Sequence, residues 1–120
     1  MSRIESRLAE LGLRLGAPKA PVANYLPTRK HADVLYVSGR VSERKGAAGA
    51  DVTPQDARIA ARDTMLDLLA ILKQDLGSLD RITRILQLRG FVRSAPDFTG
   101  QPQVVDGASD LLIALWGEDG

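Results

Sequence analysis

Residues 53–77 constrain this chain more than any other stretch. Thr53-Pro54-Gln55-Asp56 sets a capping hydroxyl, a proline for the first helical turn and a carboxylate three residues after the cap. Ala57, Ala61, Met65, Leu68, Leu72 and Leu76 then return at steps of three and four, the spacing of one helical face. Arg58, Arg62, Asp63, Asp67, Lys73 and Asp75 lie mostly off that face, and Gly77 ends the run. At 1.5 Å per residue such a helix is roughly 35 Å long. Whatever else the chain forms has to cover one apolar side of that rod.

The remaining segments supply shorter elements. Ser2 can cap a helix over residues 4–15 with Ile4, Leu8, Leu11 and Leu15 on one face, weakened toward its end by Gly12 and Gly16. Pro18 and Pro21 break it, because each proline pushes its predecessor toward extended geometry. Residues 1–17 therefore read as a helical extension and residues 18–120 as the domain. Within the domain, residues 21–26 read as extended and 28–33 as a polar turn. Val34-Leu35-Tyr36-Val37-Ser38 reads as an apolar strand continuing through Val41, and residues 43–51 as a flexible loop. Residues 79–93 have the composition of a long strand, Leu86, Leu88, Gly90 and Val92 alternating with Gln87, Arg89, Phe91 and Arg93, with a bulge expected near Arg84. Val104, Ala108, Leu111, Leu112 and Leu115 mark a second helical face that ends near Trp116.

Helix, strand, strand, helix, strand, helix is the order of an α+β sheet with both long helices on one face. The second half of that pattern lacks a final strand, and a sheet without it carries an unpaired edge or an uncovered helix face. Among 120 residues, 44% are hydrophobic, enough for one domain of a size where oligomerisation often adds stability. A formal charge of +1 gives no field for gathering phosphate backbone or anionic lipid. The five aromatic residues, Tyr25, Tyr36, Phe91, Phe98 and Trp116, are too scattered for a base-stacking platform. Nucleic acid and membrane are therefore not expected partners. With no cysteine, disulfides, thiolate metal sites and a thiol nucleophile are excluded. The start alternates charge without a signal-peptide apolar core, and a cytoplasmic location is expected.

Three stretches resemble the YjgF/RidA family. Ala23-Asn24-Tyr25-Leu26-Pro27 is similar to the tyrosine segment that reaches its active site. Val34-Leu35-Tyr36-Val37-Ser38-Gly39-Arg40 is similar to its strand ending in Ser-Gly-Gln, and Leu76-Gly77-Ser78-Leu79-Asp80 to its junction between helix and strand. Phe91-Val92-Arg93-Ser94-Ala95-Pro96-Asp97-Phe98 and Gly107-Ala108-Ser109-Asp110-Leu111-Leu112 resemble a branch with its own N-terminal helix. The resemblance implies a chorismate-mutase-like homotrimer with sites between subunits, deaminating enamines and imines such as 2-aminoacrylate without metal or cofactor. It implies catalytic roles for Tyr25, Ser38 and Gly39, and substrate contacts from Arg40 and Asp106. In the family the substrate carboxylate is also held by an arginine after the last helix, and this sequence stops at Gly120, short of that segment.

Each of these residues has a plainer reading. Tyr25 is also an amphipathic side chain suited to a subunit interface. Ser38-Gly39 can turn its N–H groups toward a carboxylate or simply form a β-bulge. Arg40, where the family has glutamine, suits a solvated face as well as a site. Asp106, where the family commonly has asparagine, would repel an anionic substrate. His31 lies in a polar turn without a second ligand and reads as surface, and the arginines at 81, 84, 89 and 93 read as a solvated or intersubunit row. A non-catalytic trimer binding a small carboxylate is the alternative function.

Overall fold

The structure, a computed structural model, describes residues 2–120. In chain order it holds α1 (Arg3–Glu10), β1 (Thr28–His31), β2 (Val34–Val37), α2 (Pro54–Leu76), a 3-10 turn (Leu79–Arg81), α3 (Gln101–Trp116) and a closing 3-10 turn (Gly117–Asp119). The class is α+β, with one small antiparallel sheet of β1 and β2. Two compact units share the chain: one takes the residues up to Val41 with Leu66–Arg81, the other Ser42–Met65 with Ile82–Gly120. Helix α2 contributes its second half to the first unit and its first half to the second.

In the first unit α1 starts at a reciprocal cap, Ser2 Oγ accepting from Glu5 N–H while Glu5 Oε2 accepts from Ser2 N–H. Its Ile4 and Leu8 are buried to 0% and 2% exposure. The helix stops at Glu10, short of the expected residue 15. Gly12, at φ 74°, takes the left-handed turn, and Leu13 N–H donates to Leu8 O while Gly12 N–H donates to Ala9 O. That pairing satisfies the terminal carbonyls and leaves Leu15 outside the helix.

Asp80 secures the other end of α1. Its carboxylate accepts from the N–H of Arg3 at 2.9 Å and of Ile4 at 3.0 Å, where the helix presents unpaired donors and positive dipole. Lys73 Nζ stands 2.7 Å from Glu5 Oε1, an ionic contact rather than a well-angled hydrogen bond. In α2 the side chains buried here are Leu69, Ala70, Ile71 and Leu72, so the deepest residue is Leu69 and not its neighbour Leu68. Arg81 Nη1 donates to Leu76 O and closes the end of α2.

Residues 28–31 form a strand where the sequence reads as a polar turn. β1 pairs with β2 in the register Thr28↔Val37, Arg29↔Tyr36, Lys30↔Leu35 and His31↔Val34. The turn itself is only Ala32-Asp33, with Ala32 at φ 52°. β1 is polar and mostly exposed, so its membership rests on backbone pairing with an apolar partner, which side-chain pattern does not record.

In the second unit Thr53 Oγ1 accepts from Asp56 N–H and caps α2, as its sequence implies. Ala48, Val52, Ala57 and Val104 form a small core with Ala61, Val92 and Phe98 against it. Helix α3 buries Val104, Ala108, Leu111, Leu112, Leu115 and Trp116, the face its spacing predicts. Gly107 shares that face. A Cβ placed there would sit 2.0 Å from Arg58 O, so the two helices approach to where only hydrogen fits. Trp116 Nε1 donates to Ile82 O at 2.9 Å.

The long strand expected over residues 79–93 is not formed. Its first residues make the 3-10 turn, and among the described residues nothing runs alongside residues 86–91 to pair with them. The half-buried residues Ile82, Ile85, Leu88 and Val92 recur at steps of three and four instead of two, while Leu86 and Phe91 are 69% and 90% exposed. Alternation in the sequence marks the capacity for a strand, and the ladder needs a neighbour. The 43–51 loop is more constrained than its composition implies. Ala48 N–H donates to Arg93 O, Ala95 N–H to Ala48 O, and Ala47 N–H to Asp51 Oδ1.

Two tests follow from this packing. Gly107→Ala gains up to about 1 kcal/mol of helix propensity but forces the helices apart, a strain of about 1–3 kcal/mol. Chemical denaturation is therefore expected to show net destabilisation, and a stabilised variant would mean the crossing is looser than described. Glu5 and Asp80 are both held below their ordinary values of 4.5 and 3.8, Glu5 mainly by Lys73 and Asp80 by the N–H groups of Ile4 and then Arg3. Depressed carboxylates stabilise the fold above their unfolded values and lose that contribution as pH falls through the folded ones. Thermal midpoints followed downward in pH are thus expected to drop below the ordinary carboxylate range, and to drop less steeply in Asp80→Asn.

Candidate functional site

Residues 18–27 include Pro18, Pro21 and Pro27, which carry no N–H. Such a stretch cannot supply a full helix or ladder of its own, and its carbonyls need donors from elsewhere. The end of β2 provides them. Ser38 N–H donates to Pro27 O at 2.9 Å and its hydroxyl donates to Leu26 O at 2.8 Å. Two residues on, Arg40 Nη2 donates to Lys19 O at 2.9 Å and Nη1 to Ala20 O at 3.1 Å. The segment is also fastened to α2, by Lys19 Nζ to Asp67 Oδ2 at 2.9 Å and by Thr28 Oγ1 to Asp75 Oδ2 at 2.6 Å.

Between these attachments the chain forms a loop. Tyr25 N–H folds back to Ala23 O at 2.9 Å, and the Tyr25 side chain is half-buried. Val22 and Leu26 on the same loop are exposed. Gly39 lies between the two clamping residues, exposed, and a Cβ there would meet nothing within 4 Å. The chain's own packing does not require glycine at this position. Its absent side chain leaves backbone open to close approach from outside.

Tyr25, Ser38, Gly39 and Arg40 thus belong to one cluster in the first unit. Their roles differ from one another. Ser38 N–H already has an in-chain acceptor, and the Arg40 fork rests on two carbonyls. Among the described residues the Gly39 N–H and the Tyr25 hydroxyl have no partner within the chain. Asp106 lies in the second unit, exposed on α3. His31 is exposed at the end of β1. Asp51 is held below its ordinary value chiefly by the Ala47 N–H and its own backbone N–H, with Arg93 and Arg44 adding to it, and it serves loop closure. Among the described residues no three His, Asp or Glu side chains gather where a metal ion would fit. No helix there is long and apolar enough to cross a membrane.

The sequence names residues that the structure brings together in one unit, and it does not name what fastens them. Asp67 and Asp75 read as charges off the apolar face of the helix, and the carbonyls of residues 19, 20, 26 and 27 have no side-chain signature. The prolines were the available signal, since a proline-rich segment leaves its carbonyls in search of donors.

A small antiparallel sheet with long helices, and a proline-bounded tyrosine loop closed by the residues after its inner strand, defines an α+β protein of chorismate-mutase-like type. Residues 5–120 match the family described as "YjgF/chorismate mutase-like, putative endoribonuclease", and the chain belongs to that family. It is 36% identical to Protein TCP17 of Trypanosoma cruzi, over 98% of this chain and 77% of that protein. Among solved structures it resembles Atu1372 of Agrobacterium tumefaciens, described as of unknown function, with TM-score 0.88 and 38% identity over 98% of this chain and 76% of that one. It also resembles a Shewanella oneidensis protein described as a "putative endoribonuclease", with TM-score 0.89 and 34% identity over 97% and 81% of the two chains.

Proposed function

We propose that the protein is an enamine/imine deaminase of RidA type, a homotrimer that hydrolyses 2-aminoacrylate-like intermediates in the cytoplasm. The reading rests on family membership and on one observation: a tyrosine loop stitched beside an open glycine backbone. On this reading the Gly39 N–H holds the substrate carboxylate and the Tyr25 hydroxyl orients the reacting carbon, while Ser38 fixes the loop. Water adds to the imine carbon, a proton passes to nitrogen, and the carbon–nitrogen bond breaks to give a 2-keto acid and ammonia. Asp106, exposed on α3 in the second unit, would repel the carboxylate and is given no role in this reading. Catalysis then depends on oriented donors and an activated water, with no covalent intermediate.

One observation favours a second reading. With the Ser38 N–H and the Arg40 guanidinium engaged within the chain, the open groups of the cluster are the Gly39 N–H and the Tyr25 hydroxyl, which can hold a ligand but include no carboxylate or imidazole to activate a water. A trimer that binds a small carboxylate without converting it would need no more than this. Ribonuclease activity, suggested by the description of the Shewanella relative, draws less support. The chain has one histidine, a formal charge of +1 and no clustered aromatics, whereas RNA cleavage calls for paired acid–base groups on a basic, stacking surface.

The deciding measurement is ammonia release from freshly generated 2-aminoacrylate. The parent is expected to accelerate it, and Tyr25→Phe to lower kcat/KM by about tenfold or more, the usual effect of losing a hydrogen bond to a charged or developing-charge group. No acceleration, combined with saturable calorimetric binding of a 2-keto acid, would transfer the assignment to the second reading. Sedimentation equilibrium is expected to give three chains per particle at micromolar concentration; a monomer would remove the intersubunit site from either reading.

A further inference from the structure

We infer that Arg40 is a positioning residue that locks the Tyr25 loop in place, and is not a ligand for the substrate's carboxylate. The inference uses the deaminase reading only for its activity readout. The loop carries no internal ladder, because Pro21 and Pro27 lack N–H groups and the intervening residues make only the Tyr25-to-Ala23 hydrogen bond among themselves. It is closed at two ends by residues two apart on one strand exit. Ser38 holds Leu26 and Pro27; Arg40 holds Lys19 and Ala20.

Guanidinium chemistry suits this task. Its planar fork sends Nη1 and Nη2 to carbonyls of two successive residues at once, fixing both the distance and the direction of the strand they belong to. The half-buried Arg40 head lies against acceptors that carry partial negative charge, and a bound carboxylate would have to displace one of them. A cation already aimed at two carbonyls is poorly placed to grip an anion as well. Lys19, whose carbonyl is one of the pair, is itself fastened to Asp67 on α2, so the clamp is anchored to the long helix and not to another mobile segment. Position 40 then bears on where the loop that carries Tyr25 lies.

The test compares the full chain with Arg40→Ala, Arg40→Lys and Ser38→Ala. Amide hydrogen exchange is followed at Tyr25, within the loop, and at Ser38, beside it, whose N–H groups both have in-chain acceptors. Arg40→Ala is expected to speed exchange at both by about tenfold, the usual consequence of losing charge-assisted hydrogen bonds. Arg40→Lys, which keeps the charge but not the fork, is expected to recover little of that protection. Ammonia release is then measured with 2-aminoacrylate and with its uncharged methyl ester. Positioning predicts an equal fractional loss of kcat on both substrates. A loss confined to the carboxylate substrate and rescued by lysine would overturn the inference in favour of direct contact, as would unchanged exchange in Arg40→Ala. If the parent releases no ammonia from either compound, the deaminase reading fails, and the exchange result alone decides the role of Arg40.

Discussion

Helix α2 is the element to which the others are fastened. In the first unit Lys73 meets Glu5 of α1, Asp67 meets Lys19 of the linker, and Asp75 meets Thr28 at the start of the hairpin. In the second unit Arg58 holds Asp110 and Gln103 O of α3, and its own carbonyl faces Gly107 at the crossing. Several of these ion pairs are exposed, and such pairs individually contribute little. The stabilising weight lies in what they flank. Ile4, Leu8, Leu69 and Leu79 in the first unit are essentially removed from water, each worth about 1.5–3 kcal/mol of transfer free energy. The polar links mainly decide which surface each element presents to the helix.

Much of this was legible in the sequence where side chains report on structure directly. The α2 cap, the α2 stop and the α3 face all follow from helical periodicity and end signals, and the structure reproduces them. The α1 terminus was misplaced because leucines at 11 and 15 extend the apolar period beyond the point where Gly12 reverses the backbone. Periodicity continued where the helix could not. β1 was invisible for the opposite reason: a polar strand carries no period, and its pairing is a property of β2's backbone. Residues 79–93 alternate as a strand would, and among the described residues no strand lies beside them to complete a ladder.

The candidate site divides the same way. Tyr25, Ser38, Gly39 and Arg40 were identifiable as residue types, and they do share one unit and one cluster. Their division of labour was not legible, because it is written in main-chain carbonyls. Ser38 and Arg40 turn inward to hold the loop, and the open positions are Gly39 and the tyrosine hydroxyl. An arginine near a Ser-Gly turn suggests anion binding from sequence alone. Two carbonyls within reach of its fork change that meaning.

The stretch at residues 82–93 has a colloidal consequence. Among the described residues its central peptide groups have no backbone partner, and Leu86 and Phe91 beside them are exposed, a composition that invites strand-by-strand association between molecules. Arg84, Arg89 and Arg93 lie within the same stretch and Arg81 just before it. A copy laid parallel and in register would set every arginine against its twin, and an antiparallel copy centred on Arg89 would oppose that residue to itself. Like charge at intervals along an apolar stretch opposes such stacking, although Arg84 is offset by its pair with Asp119. Salt that screens the arginines weakens that opposition while leaving the apolar attraction in place.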